Sequence, residues 1–197
     1  MKVFCITGPC GAGKSSVMQE VPARINRKVI IKHKEGYKEQ DEDKEFVRRF
    51  YIDNLLHVSK LKYQAEWFNS CLKYQNEDKT VVLSDRSPID TVSYVANREK
   101  YLEIVDKYFE EMTAKFGIKF YFIYFQVSPE VMLRRIADRL LRETWRKNYN
   151  EDDQDVMLRT RTFFEERLDR WDLVLDADGK VDKIADEVSN FIRENTR

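Results

Sequence analysis

The chain has 197 residues, which suits one domain with a sizeable buried core, and we predict a single unit over residues 1–197. Its 35 Lys and Arg residues balance its 35 Asp and Glu residues, so net charge gives no reason to expect nucleic acid or an anionic membrane as a partner. The longest apolar run, 120–125, is too short to span a bilayer, and three widely spaced cysteines suit a reducing compartment. We therefore expect a cytoplasmic protein.

A short apolar strand at residues 3–6 leads directly into a glycine-rich turn and then a helix. Residues 8–15, GPCGAGKS, match the phosphate-loop pattern G-x-x-x-x-G-K-[ST] at every defined position. In such a loop, backbone N–H groups turn towards a polyphosphate and the following helix adds its positive N-terminal end. The residues predicted to bind a nucleoside triphosphate are Gly8, Pro9, Cys10, Gly11, Ala12, Gly13, Lys14, Ser15 and Ser16.

Three side chains of this phosphate loop, residues 8–15, suggest particular roles. Lys14 is expected to reach the β- and γ-phosphates, and the Ser15 hydroxyl to coordinate Mg²⁺, which prefers oxygen ligands. Cys10 stands beside a helix N-terminus, where a thiolate is favoured. A small residue that merely fits the loop explains Cys10 more simply.

Strands and helices alternate along the rest of the chain. We predict further strands at 28–31, 80–84, 119–127 and 172–176. Helices are predicted over 41–76 with a break near 53–54, over 88–116 with interruptions, from 129, over 156–171 and over 181–192. A polar loop is predicted at 148–155. This alternation predicts an α/β fold of the P-loop NTPase type, a five-stranded parallel sheet with helices on both faces. The carboxyl ends of the strands are then expected to face one crevice.

Charged residues follow the second and third predicted strands. Asp85 is placed to hold Mg²⁺, Arg86 to contact phosphate, and Glu35 to accept a proton from an acceptor hydroxyl. Together with a phosphate loop, these residue types suit phosphoryl transfer. The alternatives are an ordinary ion pair at 85–86 and a solvated charge at Glu35.

The helix that starts at residue 129 carries arginines at positions i, i+4, i+7 and i+11, which share one helical face: Arg135, Arg139, Arg142 and Arg146. We predict a helical lid over about 134–155, in which Arg135 and Arg139 close over the β- and γ-phosphates of the donor. The alternative is a solvated basic face, since acidic residues at 151–155 give the segment both signs of charge.

A second helical face combines an amide with an aromatic ring. Gln64, Trp67 and Cys71 lie at i, i+3 and i+7, so that Gln64 could hydrogen-bond the edge of a base while Trp67 stacks on it. An amphipathic helix with Trp67 in the core and Gln64 at its border is the alternative.

At these residues the sequence resembles the deoxynucleoside kinase family, one of the P-loop nucleoside and nucleotide kinases, a group that includes thymidylate kinases. Tyr63 and Gln64 look like its base-recognising aromatic–Gln pair, and residues 85–87, Asp-Arg-Ser, look like its Glu-Arg-Ser motif. Residues 128–139, with their serine, proline and two arginines, are similar to its lid entrance. Glu35 occupies the position of its catalytic glutamate, although Gly36 replaces the usual proline.

The resemblance covers most of the chain and implies an ATP-dependent, Mg²⁺-requiring kinase that phosphorylates the 5′-hydroxyl of a deoxynucleoside. It places Asp178 near the donor adenine. It also implies a homodimer formed by helices around 44–75 and 88–116, although amphipathic helices pack within monomers just as readily. Two departures stand out: Leu141 replaces a third lid arginine, and a sugar-contacting glutamate falls at or beside Glu143.

Two other functions compete with a nucleoside kinase. A monophosphate kinase is the nearer one, because Asp-Arg at the end of the third strand is also the form found in thymidylate kinases. A nucleotide-driven ATPase switch is the second, but the third strand ends in Ser84-Asp85-Arg86 rather than in an apolar run followed by Asp-Glu. The residues leave the accepted base open.

Overall fold

The computed structural model describes residues 1–26, 28–32, 56–74, 80–95 and 97–196. The strands are β1 (Lys2–Thr7), β2 (Val29–Lys32), β3 (Val81–Asp85), β4 (Lys119–Gln126) and β5 (Leu173–Asp176). The α-helices are α1 (Lys14–Glu20), α2 (Leu56–Leu72), α3 (Pro88–Val92), α4 (Arg98–Phe116), α5 (Pro129–Leu140), α6 (Gln154–Glu165) and α7 (Val181–Asn195). Short 3₁₀ helices lie at Pro22–Arg24, Thr144–Tyr149 and Leu168–Arg170.

The strands form one sheet in the order β2-β3-β1-β4-β5. β2 pairs parallel with β3, and β4 pairs parallel with β5. After β3 the chain continues on the other side of β1, so the winding direction changes beside β1. Ligands of open α/β sheets bind at such a switch point, at the carboxyl ends of the strands. The phosphate loop follows that end of β1, and the predicted α/β fold with a parallel sheet is confirmed.

The central strands β1 and β3 each contain an uninterrupted run of apolar residues. Val3, Phe4, Cys5 and Ile6 of β1 are completely buried, and residues 81–83 of β3 are buried as well. A parallel strand covered on both faces requires such an uninterrupted apolar run, because neither set of its alternating side chains meets water. The core of the sheet therefore includes these two apolar stretches.

The chain divides into two compact units. The first unit is Met1–Cys5 with Arg27–Phe120, and the second is Ile6–Asn26 with Tyr121–Arg197. The first therefore contains β3 and helices α2 to α4, and the second contains the phosphate loop, β5 and the remaining helices. The single domain over residues 1–197 stays a prediction.

The helix signals in the sequence are confirmed where the structure describes them. Ser128 caps α5, accepting from the Val131 N–H at 3.3 Å, and Pro129 occupies its first position. Gly117 ends α4 in a left-handed conformation with φ of 63°, which glycine adopts without a steric penalty. Among the described helices, none is both long and apolar enough to cross a bilayer.

Some predicted helix bounds are wrong. α5 ends at Leu140, since the N–H groups of Arg142 and Glu143 both bond the Arg139 carbonyl and tighten the last turn. Arg142 and Arg146 are therefore not on the helix of Arg135. Within the predicted polar loop at 148–155 the chain ends one 3₁₀ helix and starts α6, which ends well before residue 171. The predicted break near 53–54 lies outside the described residues.

Candidate active site

The backbone of the phosphate loop requires glycine at two positions. Gly8 and Gly11 have φ of 138° and 78°, values that other residues rarely adopt. A Cβ atom on Gly11 would lie 2.8 Å from the Met132 carbonyl oxygen, and one on Gly8 would lie 3.0 Å from that of Phe125. The loop is therefore held against α5 and β4 at distances that admit no side chain.

Lys14 lies across the start of the phosphate loop. Its Nζ donates to the carbonyl oxygens of Gly8 at 2.8 Å and Pro9 at 2.7 Å, and the side chain is buried. Ser15 and Ser16, in the first turn of α1, are exposed. The ammonium of Lys14 is thus placed at the loop, and the two hydroxyl-bearing residues face solvent.

Arg135 of α5 joins the phosphate loop to the turn after β5. Its Nη1 donates to the carbonyl oxygens of Gly11 at 3.3 Å and Ala177 at 2.9 Å, and its Nη2 donates to that of Asp178 at 3.4 Å. The Asp178 carboxylate accepts from the Ser128 N–H at 2.9 Å and ties the same turn to the start of α5. The structure therefore brings Arg135 and Asp178 together with the loop.

The buried carboxylate of Glu151 accepts hydrogen bonds from two further arginines of this region. Glu151 accepts from Arg139 Nη2 and, at 3.0 Å, from Arg146 Nη1, while the Cys10 Sγ lies 3.9 Å from its Oε1. Arg146 also donates through Nε to Glu143. We call these five residues the Glu151 cluster. Glu151 and Arg146 are 6% and 4% exposed, so their charges are paired largely away from water.

No sequence pattern distinguishes Glu151 from its acidic neighbours. Asp152, Asp153 and Asp155 are exposed, and only the fold turns Glu151 inwards. The arginine spacing did mark Arg146, but as part of a helical face that the structure does not form. Contact with the loop residue Cys10 is what places this cluster beside the phosphate loop.

In the first unit, Asp85 and Arg86 lie at the end of β3, directly before a capped helix. Asp85 is buried at the last strand position, and Arg86 has a φ of 69°, which is uncommon for a residue with a side chain. A capping box follows directly: Ser87 Oγ accepts from the Ile89 N–H, and Asp90 Oδ2 accepts from the Ser87 N–H at 2.8 Å. Because α3 is anchored this way, the chain can sustain the strained conformation of Arg86.

Gln64 of α2 is only 1% exposed. Its Nε2 donates to the Thr91 Oγ1 at 3.3 Å, whereas its Oε1 is buried without a hydrogen-bond partner in the described parts of the chain. Leaving a buried acceptor unsatisfied costs about 1–3 kcal/mol. A group that is retained at such a cost is a candidate ligand contact.

The hydroxyl of Tyr63 is in the same situation as the Gln64 carbonyl. It is buried, and no hydrogen-bond partner for it is found among the described residues. Burial raises the pKa of this phenol, and the negative charge of Asp90 raises it further, while Arg86 lowers it. Tyr63 therefore stays neutral and able to donate a hydrogen bond over the whole physiological range.

Trp67 has the contacts of a core residue. Its Nε1 donates to the Ser84 Oγ at 3.1 Å, and its ring lies 5.1–5.9 Å from those of Phe68, Phe109 and Phe120. These contacts match the alternative of an amphipathic helix with Trp67 in the core. A stacking role for Trp67 stays a prediction, and Glu35 lies outside the described residues.

Mg²⁺ suits the oxygen ligands that Ser15 and Asp85 offer. The described residues contain no cluster of three or more His, Cys, Asp or Glu side chains that could hold a metal ion. Mg²⁺ in kinases is commonly held by one or two protein oxygens together with substrate phosphates. Ser15 and Asp85 each carry an oxygen of this kind, and their coordination of Mg²⁺ stays a prediction.

A parallel sheet, a phosphate loop after its first strand and an arginine that contacts that loop define a P-loop nucleotide-binding protein. The family model for deoxynucleoside kinases matches residues 4–193. The chain therefore belongs to the deoxynucleoside kinase family, which confirms the predicted enzyme: a kinase that transfers a phosphoryl group to a nucleoside. No curated protein sequence matches the chain.

Solved structures of deoxyadenosine kinase from M. mycoides share the fold. The form with dCMP and a flexible dCDP has a TM-score of 0.62 and 16% identity, and covers 98% of this chain and 100% of its own. The dATP-bound form has a TM-score of 0.60 and 16% identity, covering 96% and 98%. The dCTP-bound form has a TM-score of 0.58 and 20% identity, covering 98% and 100%.

Proposed function

We propose that this kinase transfers the γ-phosphoryl group of ATP to the 5′-hydroxyl of a deoxynucleoside. The observation that carries the proposal is the convergence of Lys14 and Arg135 on a phosphate loop whose backbone admits only glycine at Gly8 and Gly11. Cations held in place before the reaction stabilise charge on the transferring group without reorganising during it.

The donor is held by the second unit. Backbone N–H groups of the phosphate loop bind the phosphates, and Lys14 leaves the Gly8 and Pro9 carbonyls to meet the β- and γ-oxygens. Arg135 and Arg139 supply the transition-state charge of the lid, and Asp178 lies towards the adenine. Mg²⁺, with Ser15 and Asp85 as its protein ligands, would neutralise the phosphate oxygens when bound.

The acceptor is bound by the first unit. Gln64 Oε1 and the Tyr63 hydroxyl, both buried, gain their hydrogen-bond partners from the nucleoside. Arg86 contacts phosphate, and Trp67 stacks on the base. Glu35 accepts the proton of the 5′-hydroxyl as the new bond forms. Proteins of this fold hold comparable ligands, since M. mycoides deoxyadenosine kinase has been solved with dATP and with dCTP.

A panel of deoxynucleosides, ribonucleosides and their monophosphates tests the proposal, with ATP and with or without Mg²⁺. We expect Mg²⁺-dependent formation of a 5′-monophosphate from at least one deoxynucleoside. Glu35→Gln should lower its turnover roughly 10²- to 10⁴-fold, the usual range for general base catalysis. A preference for monophosphates would identify a monophosphate kinase. ATP hydrolysis at the same rate with and without every acceptor would identify an ATPase switch. A homodimer and a cytoplasmic location stay predictions.

A further inference from the structure

We propose that Thr91 fixes the orientation of the Gln64 amide and thereby makes the kinase select bases that carry an amino group at position 6 of a purine or position 4 of a pyrimidine. This inference rests on the proposed role of Gln64 in binding the acceptor base. Thr91 lies on α3 and is 27 residues from Gln64 along the chain. The sequence patterns did not mark it.

The orientation follows from the direction of two hydrogen bonds. The Thr91 hydroxyl donates to the Pro88 carbonyl oxygen at 2.7 Å. A hydroxyl has one hydrogen, so the Thr91 Oγ1 can only accept from Gln64. The amide must therefore present Nε2 to Thr91, at 3.3 Å, since the reverse orientation would bring two acceptor oxygens together.

The other side of the amide is then always an acceptor. Gln64 Oε1 is buried, and within the described residues no donor reaches it. The two ends of a glutamine amide have nearly the same shape, so turning the group over exchanges donor and acceptor without changing packing. A freely turning Gln64 would accommodate both kinds of base edge, whereas a fixed one distinguishes them.

Bases differ in the group that they present to such an acceptor. Adenine and cytosine carry exocyclic amino donors, while guanine and thymine carry carbonyl oxygens at the corresponding positions. The fixed Oε1 accepts a hydrogen bond from an amino group and repels a carbonyl oxygen. The structure therefore assigns adenine and cytosine deoxynucleosides as the favoured acceptors.

The test compares nucleosides that differ in this group and in the hydrogen on the adjacent ring nitrogen: deoxyadenosine with deoxyinosine, and deoxycytidine with deoxyuridine. Each ratio of kcat/KM is measured on a single enzyme preparation with ATP and Mg²⁺, so that differences in folded fraction cancel. We expect the wild type to favour the amino member of each pair roughly 10- to 100-fold. A wild type that favours the carbonyl member overturns the proposal.

Two substitutions separate the hydroxyl of Thr91 from its packing. Thr91→Val keeps the shape but removes the acceptor, and should reduce both ratios at least about fivefold; Thr91→Ser keeps the hydroxyl and should stay within about twofold of wild type. Equal ratios in wild type and Thr91→Val, or equal losses in both variants, overturn the inference. Gln64→Ala tests the underlying role: unchanged ratios in that variant would refute the proposed base contact itself.

Discussion

The phosphate loop region and the region around Gln64 differ in how their polar side chains are satisfied. Around the loop, Lys14 and Arg135 bond backbone carbonyls, and Arg139 and Arg146 bond the Glu151 carboxylate. The Arg139 Nε and the Thr7 Oγ1 are the atoms of this region that are buried without a hydrogen-bond partner among the described residues. Around Gln64, by contrast, an amide oxygen and the Tyr63 hydroxyl are buried with no protein partner in the described residues.

Under the proposed function, this difference implies two ways of binding a ligand. At the loop, an incoming phosphate must replace the protein acceptors that Lys14 and the arginines already bond. The free energy gained on binding is therefore only the difference between the new hydrogen bonds and those that they replace. At Gln64, a ligand group satisfies an atom that had no partner, and removes a standing cost of about 1–3 kcal/mol. The loop therefore favours charge that grows during the reaction, and the Gln64 region favours ground-state recognition.

The largest expected effect comes from Lys14→Met, which removes the ammonium but keeps the buried aliphatic stem. We expect kcat to fall by roughly 10²- to 10³-fold, as when one transition-state donor is lost. The retained packing should keep the variant folded, which a cooperative thermal unfolding transition would show. Steady-state kinetics measure the effect, and Lys183→Met, on the exposed side of α7, serves as the control. Wild-type kcat in Lys14→Met would refute the assignment of Lys14.

Glu151→Gln tests whether the Glu151 cluster is satisfied internally. The change removes the negative charge that Arg139 and Arg146 share, and leaves the buried Arg146 with Glu143 alone. We expect the free energy of unfolding to fall by about 3 kcal/mol, measured by urea denaturation. The matched control is Glu187→Gln, whose exposed pair with Lys183 should contribute less than about 1 kcal/mol. Equal stability losses in the two variants would contradict the buried cluster.

Tyr63→Phe and Tyr124→Phe compare a buried hydroxyl that lacks a partner with one that has a partner. The Tyr63 hydroxyl has no partner among the described residues, whereas that of Tyr124 donates to Glu165 at 2.6 Å. We expect Tyr63→Phe to raise the free energy of unfolding by about 1 kcal/mol and Tyr124→Phe to lower it by a similar amount. Opposite signs in urea denaturation would support the comparison; a loss of stability in both variants would contradict it.

The smallest expected effect is an alkaline loss of stability. Burial, followed by the hydrogen bond to Glu165, raises the pKa of Tyr124 above its ordinary value of 10.0. The unfolded chain therefore releases this proton first, so stability is intact below pH 10 and falls as pH rises further, by at most about 1.4 kcal/mol per pH unit. Urea denaturation at pH 9 and pH 11 should show a smaller loss for Tyr124→Phe. An identical loss in that variant would assign the effect to other groups.

The parts of the site that the sequence predicted are those encoded in contiguous residues. The phosphate loop needs a fixed spacing of glycine, lysine and serine, and the capped starts of α3 and α5 need a serine followed by proline. Each of these signals is local, because the physical requirement is met by neighbours along the chain. These local signals predict the loop, the sheet and the end of β3 without any information on contacts between distant parts of the chain.

The parts that the sequence did not predict depend on contacts across the chain. Nothing near Glu151 shows that it meets Cys10, since 141 residues separate them. Likewise, Thr91 matters only because the fold brings it to Gln64, and Trp67 joins the core because α4 and β4 surround its ring with phenylalanines. Periodicity identified the face of α2 but not which of its side chains meets a partner.

The close approach at Gly11 has a mechanical consequence. A Cβ atom there would lie 2.8 Å from the Met132 carbonyl oxygen and 3.1 Å from the Ile136 Cγ1, so the first two turns of α5 and the loop are packed as one piece. Outward movement of the whole of α5 would separate the loop from the helix residues that pack against Gly11. In the proposed lid over 134–155, a hinge beyond Ile136 would let Arg139 and the following 3₁₀ helix move while the loop keeps its shape.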